Sequence, residues 1–153
     1  MVAYMLSLRV LITLDTNVLY QAVRSKSGAS HAILQEVRGG KIQMALSVLL
    51  FLEYEDVLTQ KKSIQDLGLT LNDIEKILRF IAYIGKTFNI YYLFRPNLRD
   101  EKDNMVFELA ITSQSNYLVT NNVKDFRNAE IKIDQTFVVT PSDFLKKWRK
   151  KDV

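Results

Sequence analysis

The chain has 153 residues, enough for one compact domain with a full core, and its 48% hydrophobic and 25% charged residues exclude a disordered chain. It contains no cysteine, which excludes disulfides and thiolate-bound zinc and points to a reducing, cytoplasmic compartment. The net charge of +4 equals that of the final stretch KKWRKKDV, Lys146 to Val153, so the rest of the chain is balanced.

The opening MVAYMLSLRVLITL is apolar but lacks a basic start and a small-residue cleavage site, and Arg9 interrupts it. It therefore reads as a strand leading to Asp15, not as a signal peptide or membrane span, with residues 1–7 a candidate for disorder. Leu8 to Leu14 is the buried strand, and Asn17 to Arg24 a short helix. A helix from Ala29 to Arg38 is closed by Gly39-Gly40, and Ile42 to Leu46 is a short strand. Ser47 caps a helix carrying VLLFLEYEDVL. Thr70 with Asp73 resembles a capping box and opens a helix of about four turns, reaching Lys86. NIYYLF is the next strand, with Pro96 opening the turn after it. Asp103 to Ser115 is a helix, Tyr117 to Thr120 a strand, and Thr136 to Thr140 the last strand. Pro141 opens the terminal helix, where its missing N–H costs nothing. Near-continuous apolar strands alternating with helices predict an α/β domain over residues 1–153, its parallel sheet covered on both faces. In such sheets chemistry gathers beyond the carboxyl ends of the strands, where Asp15 lies.

Carboxylates and amides recur in that setting. Asp15, followed by Thr16 and Asn17, is equally good as a helix cap and as a ligand. Asp103 shares a helical face with Val106, Phe107, Ala110 and Ile111, where an unpaired carboxylate would be costly, although the first turn of a helix also welcomes an acid. Asp100 adds a second acid nearby. In the helix after Ser47, Glu53 shares a face with Leu49, Leu50 and Val57, and Glu55 with Phe51, Leu52 and Leu58, so periodicity does not choose between them. Thr120 ends a further strand, and Asn121, Asn122 and Asp125 follow it. Several acids at one sheet edge need a cation, and oxygen donors with a single histidine favour Mg2+ or Mn2+ over zinc. His31, away from these loops, reads as a surface or packing residue. Lys146, Lys147, Arg149 and Lys150 offer contacts to nucleic acid phosphates, or simply form a solvated last helix pinned by Phe144 and Trp148.

LDTNVL, LLFLEYEDVL, LRDEKDNMVFELA and YLVTNNVKDF, in this order and spacing, together resemble the PIN-domain family, in particular the toxin components of bacterial toxin–antitoxin pairs; VVTPSDFL resembles the tail of that subgroup. The resemblance covers Leu11 to about Leu145. It implies a three-layer α/β/α sandwich around a parallel sheet of about five strands and a metal-dependent ribonuclease site. It carries over Asp15, selects Glu53, and matches Asp103, with Thr16, Asn17 and Thr120 in support. At the fourth acidic position stands Asn122, followed by Asp125 as the fourth catalytic and metal-site acid, orienting the water or helping a second ion, and Asp100 becomes a further outer ligand. An antitoxin, an RNA substrate and a homodimer are the partners it implies, and aromatic residues such as Phe80, Tyr83, Tyr91 and Tyr92 serve either a dimer surface or the core. The rival readings are a non-catalytic RNA- or partner-binding module and a metal-dependent phosphatase; against the latter, no DxD follows the first strand and no GxxxxGK loop exists.

Overall fold

The computed structural model describes residues 9–90, 101–127 and 135–151. Within them, β1 (Leu11–Leu14), α1 (Thr16–Arg24), α2 (Ala29–Arg38), β2 (Gln43–Leu46), α3 (Val48–Leu58), α4 (Lys61–Leu67) and α5 (Leu71–Ile84) follow in order. Then come β3 (Lys86–Thr87), α6 (Glu101–Ser113), β4 (Tyr117–Val119), α7 (Val123–Arg127), β5 (Phe137–Val139) and α8 (Pro141–Arg149). The expected strand NIYYLF, its turn at Pro96, and Asp100 fall largely or wholly outside the described residues.

The five strands form one sheet in the order β3-β2-β1-β4-β5, and every pair is parallel. Helices cover both faces, as parallel strands require. β1 is buried along its whole length. Its one polar side chain, Thr13, is satisfied by the Ser115 hydroxyl at 2.8 Å, so the strand carries no unmet polar group into the core. The β1–α1 and β2–α3 junctions turn on Asp15 and Ser47, and Ser47 accepts from the Leu50 amide at 3.2 Å. α2 stops where expected, since Gly40 takes φ +77, a backbone that favours glycine.

One expectation is corrected. The helix from Thr70 ends at Ile84 rather than Lys86, and Lys86–Thr87 pairs with Ala45 and Leu46 as the edge strand. Gly85 is the reason: a Cβ there would lie 2.9 Å from the Ile81 carbonyl oxygen and 3.0 Å from Leu46 Cδ2. Glycine lets the chain leave α5 hard against β2, a close approach that periodicity does not register. The terminal basic residues belong to α8 and its C-cap Lys150, with Phe144 and Trp148 stacked at 6.3 Å. Their cations sit at the negative end of the helix dipole.

β1 is central, and the chain passes from β3 back across it to β4, so the strand order reverses between β1 and β4. A crevice outside the carboxyl ends of these two strands is where an open parallel sheet binds its ligand. Asp15 and Thr120 end those strands.

Candidate active site

The ladder continues one step past both strands, with the Asp15 amide donating to the Val119 carbonyl at 3.0 Å and that of Thr120 to Val139 at 2.9 Å. This holds the two side chains together: the Thr120 hydroxyl donates to Asp15 Oδ2 at 2.6 Å. Asn17 Nδ2 donates to the same oxygen at 3.3 Å, and the Thr16 amide to Oδ1 at 2.8 Å. Asp15 is only 6% exposed, so these bonds replace the water that burial removes. Thr120 in turn accepts from the Asn122 amide at 3.0 Å, and Asn17 Oδ1 accepts from Asn121 at 3.4 Å. The two strand-end loops are thereby tied into one wall.

α3 supplies the second wall. Its residues are apolar on nearly every face, and tertiary packing decides which acid turns inward: Glu53 is 9% exposed, whereas Glu55 and Asp56 are exposed. Tyr54, fully buried next to Glu53, donates its hydroxyl to the Leu14 carbonyl at 2.6 Å and so anchors α3 to the end of β1. Burial first, and the nearby Asp15 charge second, push the Tyr54 phenol well above its ordinary pKa, so it remains a neutral donor. α6 supplies the third wall. Val106, Phe107 and Ala110 are buried with Ile111 packed against them, and Asp103 lies half-buried on the same stripe.

Asp15, Glu53 and Asp103 line one cavity of about 360 Å3, together with Thr16, Asn17, Tyr20, Lys102 and Asn122. Asp125 does not line it; it is exposed in the first turn of α7, its amide bonded to the Asn122 carbonyl. Lys146 and Lys147 line a separate cavity beside β5, where the Lys147 ammonium lies 5.7 Å from the Phe137 ring and 6.0 Å from that of Tyr117. His31 stands apart, bonded to the Ala22 carbonyl at 2.9 Å and to Gln35 at 3.0 Å, a tie between α1 and α2.

In kind, three carboxylates with hydroxyl and amide neighbours fit a hard divalent ion. In spacing they stand apart: among the described residues no three acids or histidines are close enough to hold a metal. Instead the Lys102 ammonium lies 3.5 Å from Glu53 Oε1. Sequence reasoning missed both Tyr54 and Lys102. Tyr54 shares its helical face with Leu50 and Leu58, which was a signal for burial; nothing local pointed from Lys102 to Glu53.

A family model for the PIN domain matches residues 11–124, most of the chain and all of the acidic cavity. The chain is a PIN domain. Among solved structures, this PIN domain is similar to a crystal structure of VapBC2 from Rickettsia felis bound to a DNA fragment from their promoter, at 16% identity and a TM-score of 0.56. The match covers 85% of this chain and 98% of the other, and at that identity it supports the fold. No curated protein sequence matches the chain. Among the described residues, no helix of the PIN domain is long and apolar enough to cross a membrane.

Proposed function

We propose that this PIN domain is a metal-dependent endoribonuclease of the cytoplasm and the toxin of a toxin–antitoxin pair. The observation that carries the reading is the meeting of Asp15, Glu53 and Asp103, from three distant chain segments, in one cavity at the strand-order reversal. Membership of the PIN family supports nuclease chemistry, and the likeness to VapBC2 supports an antitoxin partner. A homodimer is part of the same reading.

Asp15, Glu53 and Asp103 would hold Mg2+ or Mn2+, which supplies a water acidified for attack and a positive charge beside the phosphodiester. The chain's own residues set the stage. Thr120, Asn17 and the Thr16 amide orient the Asp15 carboxylate, so it is held in a fixed direction. Tyr54 holds α3, and with it Glu53, against β1. Asp125, three residues after Asn122, is proposed as an outer acid acting through water, and Asp100 as another. Lys146, Lys147, Arg149 and Lys150 would contact phosphates farther along the RNA.

A binding module without catalysis is the second reading, favoured by the Lys102 counter-ion beside Glu53 and by Asn122 in place of an acid. Cleavage of structured RNA in manganese decides between them. Glu53→Gln and Asp103→Asn should each lower the rate by more than about 100-fold, beyond the loss typical of outer-shell changes, and exposed Glu55→Gln should leave it unchanged. Cleavage by Glu53→Gln at the wild-type rate would end the nuclease assignment.

A further inference from the structure

Beside the acidic cavity lies another, of about 420 Å3, where the end of α1 meets the starts of α2 and α8. Gln21 lines both cavities. Asn121 lines the second and donates to Asn17, which lines the first. The two are therefore neighbours sharing a wall.

The start of α2 brings unanswered donors to this cavity. Its N-cap is Gly28, which makes no side-chain cap bond. Among the described residues, the amides of Ala29, Ser30 and His31 meet no acceptor, and the first bonded amide is that of Ala32. Ser30 lines the cavity and is 8% exposed, and its buried hydroxyl also has no hydrogen-bond partner among the described residues. A largely buried hydroxyl without a partner in the chain takes one from outside it, water or a ligand. No acidic side chain is among the lining residues. Backbone amides, a hydroxyl and the positive end of a ten-residue helix together suit an oxyanion. The α8 start differs, since Thr140 already accepts from the Asp143 amide.

We propose that the cavity at the start of α2 binds a backbone phosphate of the RNA strand whose reacting phosphate lies in the acidic cavity. The inference rests on the nuclease reading above, which supplies the RNA. The bound group is a phosphodiester rather than a terminal phosphate, because the shared wall places the cavity alongside a continuing strand. It adds affinity and register without a lysine or arginine, and it reads no base.

Gly28→Asp tests it. The backbone there (φ −84, ψ 167) suits any residue, and an added Cβ would meet its nearest atom, Ser25 Oγ, at an ordinary 3.6 Å. The new carboxylate would cap α2 from within, satisfying the amides and repelling phosphate. Tm should hold or rise by about 1 °C, while binding of single-stranded RNA in metal-free buffer, read by fluorescence anisotropy, weakens about tenfold. Ser30→Ala, which cannot repel the ligand, should weaken it about threefold. Titrating wild-type protein with inorganic phosphate should shift the amide resonances of Ala29, Ser30 and His31. Shifts with phosphate but unchanged RNA binding in Gly28→Asp would overturn the assignment in favour of free phosphate. Unchanged RNA binding without such shifts would overturn the site altogether. Because binding is read without metal, failure of wild-type protein to cleave RNA would strike the nuclease reading alone.

Discussion

Two aspartates mark helix starts in this PIN domain, and they are held in different ways. Asp73 closes a capping box at α5, accepting from the Thr70 amide at 3.0 Å while Thr70 accepts from the Asp73 amide at 3.1 Å. Those bonds hold its carboxyl below the usual range. Asp15 is the N-cap of α1, where its carboxylate accepts from the adjacent Thr16 amide; its other oxygen accepts from side chains, those of Asn17 and, across the sheet, Thr120. The Asp73 carboxylate bonds within its own helix start, whereas that of Asp15 is also held from across the sheet. Asp15 is an N-cap and Asp73 the third residue of a capping box, and what packs around them differs as well.

Three experiments sharpen that contrast, the largest effect first. Asp15→Asn should abolish cleavage, by more than about 100-fold, and leave the metal-free fold as stable or more stable, because it removes a negative charge that is only 6% exposed. A fall in metal-free Tm would make Asp15 a structural cap like Asp73. Thr120→Val should lower manganese affinity about 10- to 100-fold, as loss of a ligand-orienting partner does, measured by calorimetry. It should also cost about 1–3 kcal/mol in urea unfolding, since the Asp15 oxygen and the Asn122 amide both lose a partner. Thr70→Ala should cost about 1 kcal/mol and leave cleavage untouched. The sign with pH follows from Asp73: its folded pKa is depressed, so its support is present above the ordinary carboxylate value and lost as pH falls through the folded one. The stability gap between wild type and Thr70→Ala should therefore narrow in acid.

Much of the architecture was legible along the chain. Branched apolar runs gave the strands, Ser47, Thr70 and Pro141 marked helix starts, and Gly39-Gly40 marked a stop, because each acts through its own backbone or a neighbour three residues away. β3 went unread, with Lys86 assigned to the preceding helix, because its pairing depends on Gly85 passing close to Leu46, some forty residues earlier. α4 went unread, a seven-residue helix among polar residues with little periodicity to show.

The candidate site divided in the same way. Asp15 was legible from sequence because a buried strand must end somewhere and Asp-Thr-Asn ends it. Choosing Glu53 over Glu55 from the residues was not possible, since α3 is apolar on both flanks and a helix facing sheet and neighbours at once has no single wet side. The placement of Lys102 beside Glu53, and of Asp125 outside the cavity, likewise emerged only in three dimensions. The sequence by itself determined which segments become strands and helices and which polar groups arrive at their ends, because those are short-range consequences of propensity and capping. Tertiary structure decided which of those groups meet, because contact between residues a hundred positions apart depends on sheet order and helix docking.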